Sequence, residues 1–217
     1  MAIEFNFDSQ RHLYLVHGRP VPSVTQVLHA SGLAADYSTV DAETLERKRV
    51  IGEYVHKATQ YLDEGSLDYE SVDPSLQGYL AAYEAFLRES GFKPQLIEQR
   101  LVGRVSGMLC GGTVDRVGVM AGKLWIIDLK CIDRLYPSFA IQTAGYELIL
   151  PKPVVPPFRY TRAVLQLRHD GSYKLSPSYE DAADLDIFRA ALALTVWKIN
   201  HGWAIETGAW SEVDEAA

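Results

Sequence analysis

Two aspartates and a lysine lie within one stretch that is otherwise built for a sheet. Residues 112–130, GTVDRVGVMAGKLWIIDLK, read as a β-branched apolar run (113–119), a turn at Met120-Ala121-Gly122-Lys123 and a second apolar run (124–129) ending in Lys130. Asp is depleted in strand interiors, so Asp115 and Asp128 need a reason. If Ala121-Gly122 is a two-residue hairpin loop, Met120 pairs with Lys123 and paired residue numbers sum to 243, which opposes Asp115 to Asp128. Directly opposed side chains have Cβ atoms about 4.5–5.5 Å apart, and like charges there repel. Lys130, two residues past Asp128, shares its face. A divalent cation between the carboxylates turns repulsion into coordination. The opposite face, Val114, Trp125, Ile127 and Leu129, is expected to pack into a core. The same residues also make a salt-bridged surface hairpin.

Other polar residues fall where they can join this hairpin. His56 stands beside the apolar stripe Ile51, Val55, Ala58 and Leu62, with Gly52 one helical turn earlier leaving room before the imidazole. A hydrogen-bonded core or surface histidine fits there too. Glu98 interrupts an apolar strand pattern and can simply point to solvent. Gln142 and Tyr146 are four apart, hence on one helix face, which can be no more than a polar surface.

The elements that must position these residues follow from local signals. Residues 3–22 read as a short hairpin or a pair of extended segments, with turn signals at Asp8-Ser9 and Gly18-Arg19-Pro20. Ser23 is an N-cap for a short helix ending near Gly32, followed by a loop over 33–40. Helices are expected over 41–62, from Asp73-Pro74 to Gly91, over 138–150 and over 184–200. Strands are expected over 95–104 and 157–176, the latter turning at Asp170-Gly171. The C-terminal tail, 206–217, is expected to fray.

The 217 residues, 47% hydrophobic and 23% charged, provide a sizeable core. No apolar run approaches the roughly 20 residues of a membrane span, and the N-terminus matches neither a signal nor a transit peptide. Cys110 and Cys131 form neither a metal-type pair nor a disulfide framework, which sets a cytoplasmic expectation. The formal charge is −7 but unevenly spread. Residues 86–175 carry 13 Lys+Arg against 7 Asp+Glu, a net of +6, and the remainder carries 8 against 21, a net of −13. A basic groove around the hairpin is compatible with the acidic total.

Taken in order, these residues form a set: G-x-x-x-H (Gly52, His56), Glu98 on a strand, G-T-V-D ending in Asp115, I-I-D-L-K with Asp128 and Lys130, and Q-x-x-x-Y (Gln142, Tyr146). The set resembles the PD-(D/E)xK nuclease superfamily, most of all its RecB-like branch with the phage-type exonucleases, over roughly residues 45–170. The P-S-V-T stretch at 22–25 is similar to openings in phage and mitochondrial members. Two departures stand out: no Pro precedes Asp115, and Cys131 stands where Thr often follows the lysine.

The resemblance implies an α/β fold: a restriction-endonuclease-like core with a central mixed β-sheet of four or five strands flanked by helices, and an N-terminal helical elaboration. It implies a single nuclease domain over 1–217, with a hairpin and helices carrying His56 (1–92), a catalytic sheet core (93–176) and a C-terminal helix and tail (177–217). It implies Mg²⁺ or Mn²⁺ held by Asp115 and Asp128 with the Leu129 carbonyl, His56 tilting the site toward Mn²⁺, and Glu98 ligating through water. Lys130 would orient or help deprotonate the attacking water, and Gln142 and Tyr146 would position the strand or brace Lys130. Arg104, Arg116, Arg134, Arg159 and Arg162 are the implied phosphate contacts. The four-cysteine iron–sulfur cluster of some relatives is not expected with two cysteines.

The implied activity is a metal-dependent deoxyribonuclease, an exonuclease of phage or bacterial DNA recombination or repair. The alternatives are a structure-specific or restriction-type endonuclease, or a non-catalytic nuclease-like DNA-binding protein. The implied partners are DNA, as duplex ends or single strands, and a single-strand annealing or recombination protein, with no membrane. Ring assemblies occur among phage relatives, but nothing in this sequence marks an interface.

Overall fold

The computed structural model describes residues 3–35, 40–154 and 159–203. The expected loop over 33–40, the strand run over 157–176 and the frayed tail therefore lie partly or wholly outside the described residues.

The N-terminal segment is a three-stranded antiparallel meander, β1 (Asn6–Asp8), β2 (Leu13–Val16) and β3 (Arg19–Val21), one strand more than a hairpin. Helix α1 (Val24–Ala30) starts on a reciprocal capping box between Ser23 and Gln26. Helix α2 (Ala42–Asp63) is capped by Asp41, whose side chain accepts from Glu43 and Thr44. After Asp73-Pro74 the chain makes a 3₁₀ turn before α3 (Gln77–Ser90), which ends at the left-handed Gly91.

A five-stranded sheet follows, in the order β4 (Lys93–Val105), β5 (Met108–Met120), β6 (Lys123–Lys130), β7 (Thr161–Leu167) and β8 (Tyr173–Leu175). Within this sheet β6 and β7 pair in parallel and the other neighbours antiparallel, and the crossover between β6 and β7 carries α4 (Ser138–Ile149). The last helix is α5 (Ala183–Asn200). This is the expected mixed sheet flanked by helices. Among the described residues, no helix is long and apolar enough to cross a membrane.

Alternation along β6 sorts the core into two layers. Ile126 packs with residues of α1, α4 and α5, including Val24, Tyr146 and Phe188. Ile127 and Leu129 pack with Val55 of α2 and with Tyr79, Tyr83 and Phe86 of α3. Helices thus cover both faces of the sheet.

The hairpin register is the expected one: Met120 pairs with Lys123, and the ladder runs to Arg116 and Ile127. It stops one rung short of Asp115 and Asp128. There β5 and β6 part, and the Leu129 N–H donates to Asp115 Oδ2 at 2.7 Å instead of to a backbone carbonyl. On the other side of β5, the β4 ladder also skips this rung, passing from Ile97–Arg116 to Gln99–Val114. Glu98, within the skip, has φ 46°. A left-handed non-glycine residue inside a strand costs about 1–3 kcal/mol and persists only where its surroundings enforce it. The irregularity also corrects one expectation. Val114 packs with Val117 and Ile126, not with Trp125, Ile127 and Leu129, because the face alternation of β5 shifts at Asp115.

Candidate active site

A cleft of about 500 Å³ lies among α1, α2 and the sheet, lined on the sheet side by Glu98 of β4 and Asp115 of β5; Asp128 and Lys130 of β6 are not in its lining. His56 enters from α2. Its Nδ1 lies 3.2 Å from Glu98 Oε1 and 3.7 Å from Asp115 Oδ1, and its Nε2 lies 3.3 Å from the Leu129 carbonyl. Potential ligand atoms of His56, Glu98 and Asp115 all fall within 4.8 Å of one another. Gly52 lines the same cleft, and a Cβ there would meet nothing within 4 Å, so the approach to the imidazole is open. The solvent-pointing reading of Glu98 is overturned: its carboxylate accepts from Arg116 Nη1 at 2.9 Å as well as facing His56.

Asp128, from β6, stands outside that group of three but close enough to act on Asp115 electrostatically. It is 1% exposed, and neither carboxylate oxygen accepts a hydrogen bond. Lys130 Nζ lies 2.7 Å from Oδ2, close enough for an ion pair but without hydrogen-bond alignment. Buried carboxylate oxygens nearly always have donors, so Oδ1, which has none, and Oδ2, which meets the Lys130 ammonium, mark a place where positive charge fits.

The charges perturb one another. Burial pushes the Asp115 carboxyl up to about 7; His56 opposes the rise, while Asp128 and Glu98 add to it. Burial works against the charged form of His56, but Asp115 and Glu98 more than offset it and raise the imidazole to about 9. Glu98 suffers from burial too, yet its contacts with His56 and Arg116 hold it below the usual carboxylate range. Without a metal, an imidazolium therefore supplies positive charge among the acids.

The α4 pair behaves as the spacing predicts. Gln142 Nε2 donates to the Tyr146 hydroxyl at 3.0 Å, and both side chains are buried. Burial, with Asp128 and Asp115 adding to it, raises the Tyr146 phenol well above its ordinary value. Gly112 makes this approach possible. A Cβ there would fall 2.9 Å from Ile149 and 3.3 Å from Tyr146.

No family model matches the chain, and no curated protein matches it significantly. Among solved structures, the chain is similar to an alkaline exonuclease from Laribacter hongkongensis, with 13% identity over 91% of this chain and 95% of that one and a TM-score of 0.47. It is also similar to the protein SSO0001, with 13% identity over 82% of this chain and 75% of that one and a TM-score of 0.40. At these values the likeness lies in the course of the chain and assigns no role to any side chain.

The five arginines divide. Arg116 is fully buried and bound to Asp63 at 2.6 Å and Glu98 at 2.9 Å, and Arg162 is 2% exposed and bound to Glu147 at 3.0 Å and Asp184 at 3.2 Å. Both are removed as phosphate contacts, because each guanidinium is spent on internal carboxylates. Arg104 lies near the β4–β5 turn, its Nη1 donating to the Gly107 carbonyl, some six strand residues from Glu98 or about 20 Å. Arg159 lines a pocket beyond the other end of β6, with Lys123. Arg134 borders a groove that also holds Lys48, Lys130, Tyr136 and Gln142.

Sequence reasoning passed over several cleft residues. Lys57 and Arg100 line the cleft, with Arg100 stacked 4.3 Å over the Phe7 ring. Tyr14 shares a 2.6 Å hydrogen bond with Thr113 at its edge. Thr59 and Asp63 stand behind it, bound to Arg116. Both lie on the His56 face of α2, at i+3 and i+7, a spacing that could have flagged them.

Proposed function

We propose that the chain is a metal-dependent nuclease that hydrolyses phosphodiester bonds in DNA at the β5–β6 fork. The observation that carries this reading is the buried Asp128 carboxylate, with no donor on Oδ1 and the Lys130 ammonium against Oδ2, beside the cluster of His56, Glu98 and Asp115. Hard carboxylate oxygens with one imidazole suit Mg²⁺ or Mn²⁺, with Asp115, Asp128, the Leu129 carbonyl, His56 and Glu98 as the holding set. Such an ion, when bound, polarises a phosphate and makes a bound water more acidic.

The chain's own groups supply the rest. The Lys130 ammonium orients the attacking water and offsets negative charge that grows on the phosphorus oxygens. Gln142 donates to Tyr146, which leaves the phenol's own hydrogen for a phosphate oxygen; a raised phenol keeps that hydrogen at ordinary pH. Lys57 and Arg100 on one side of His56, and Lys48 and Arg134 on the Lys130 side, lie where a polyanionic strand crosses the fork.

The exonuclease form of the activity, and its place in recombination or repair in the cytoplasm of a bacterium or phage-infected cell, are carried by the resemblance of the ordered motif. Incubation with Mn²⁺ or Mg²⁺ tests both levels. End-labelled linear DNA is expected to be degraded while closed circular DNA is spared, and Lys130→Ala is expected to degrade neither. Cutting of the circle replaces the exonuclease with an endonuclease. Full activity in Lys130→Ala removes the assigned site.

A further inference from the structure

We infer that Arg116, buried behind the cleft, is a positioning residue that sets the Glu98 carboxylate for metal binding; the inference rests on the metal-site reading above. Its guanidinium is clamped from the core side. Nε donates to Asp63 Oδ2 at 2.6 Å and to the Tyr83 hydroxyl at 3.2 Å, and Nη2 donates to Thr59 Oγ1 at 3.0 Å. Tyr83 in turn donates to Asp63 Oδ2 at 2.8 Å. Toward the cleft, Nη1 donates to Glu98 Oε1 at 2.9 Å and to the Asp115 carbonyl at 2.7 Å.

One planar group thus ties α2 and α3 to the two strand residues that line the fork. Glu98 needs such a hold, since its backbone sits in the left-handed region and its carboxylate faces other acids. Arg116 also brings a fixed positive charge beside those acids whether or not an ion is present. A lysine ammonium keeps the charge but cannot reach Asp63, Thr59 and Glu98 from one rigid fork.

A role confined to fastening α2 to the sheet predicts lost stability and nothing specific to Glu98. A double-mutant cycle read by Mn²⁺ titration calorimetry separates the two, with each variant checked by its melting curve. Arg116→Lys is expected to weaken Mn²⁺ binding about tenfold, and the same change in a Glu98→Gln background is expected to alter it less than twofold. Undiminished Mn²⁺ affinity in Arg116→Lys, or a loss that persists in full in the Glu98→Gln background, overturns the inference while leaving the metal site standing. If Arg116→Lys does not fold, Tyr83→Phe stands in. It is expected to weaken Mn²⁺ several-fold in a Glu98-dependent way, and unchanged affinity overturns the inference. Wild-type protein that takes up no Mn²⁺ overturns the metal reading and this inference together.

Discussion

Asp128→Asn should make the metal-free protein more stable and the metal-loaded protein less so. Asp128 presents a buried carboxylate with no aligned donor on either oxygen and the Lys130 ammonium as its ion-pair partner. A buried polar group left without a donor costs about 1–3 kcal/mol, and more when charged. The Lys130 ammonium at 2.7 Å returns part of this, about 1 kcal/mol for a pair whose cation is partly exposed. The balance is a penalty of up to about 2 kcal/mol, and an amide of the same shape lifts the part of it that comes from the charge, together with the repulsion between Asp128 and Asp115. At this chain length 1 kcal/mol moves the melting temperature by about 2–4 °C, so the variant should melt higher in EDTA, by up to about 8 °C. With Mn²⁺ the order should reverse. At a hundredfold excess over its Kd, an ion binding only the folded state adds about 2.7 kcal/mol to the wild type. The variant, lacking a ligand, should gain much less. Thermal melts in EDTA and along a Mn²⁺ titration measure both arms. A variant that melts lower than wild type in EDTA, or that gains as much from Mn²⁺, refutes the reasoning.

Three further outcomes follow from the same geometry. His56 has its folded pKa raised to about 9 from 6.5, so its contribution is complete below 6.5 and disappears as pH rises through 9. The metal-free protein should therefore lose up to about 3 kcal/mol of stability across that window, while apparent Mn²⁺ affinity rises as the proton leaves, measurable by melts and calorimetry at stepped pH. Lys130→Ala should lower kcat by about 10²–10⁴-fold with Mn²⁺ affinity within a few-fold of wild type, checked by steady-state cleavage beside calorimetry. Arg100→Ala and Lys57→Ala should each weaken DNA binding without base preference and lower the slope of log affinity against log salt by about 1, read by fluorescence anisotropy at several salt concentrations.

The chemistry-bearing residues of the hairpin were legible because strand patterns make acids conspicuous. The hairpin register followed from a single glycine turn, Ala121-Gly122. The interruption at Glu98 was not legible, since nothing in the type or spacing of Gln95 to Arg100 announces a left-handed glutamate. Nor was the change of face along β5 at Asp115, which put Val114 in the other layer. The arginines went astray for a different reason. A cation in a basic stretch looks like a phosphate contact until burial is known, and the acids that neutralise Arg116 and Arg162 come from distant elements, Asp63 on α2 and Asp184 on α5. The α4 pair succeeded because helical spacing alone puts Gln142 beside Tyr146.

The parted strands have a consequence for how the sheet breathes. Below the fork, residues 116–119 of β5 are paired on both sides, to β4 and to β6. Above it, residues 108–114 are paired along β4 alone, with an isolated bridge from Gly111 to Ser23 at their other edge. Their amides should exchange with deuterium by local opening, sooner than those of 116–119, which need the whole sheet to come apart. The β4–β5 arm and the body of the sheet are then separate cooperative units with Asp115 at their boundary. An ion that bridges Asp115 to Asp128 of β6 would join the two units, and its binding should register as slowed exchange along the arm, well beyond the residues it touches.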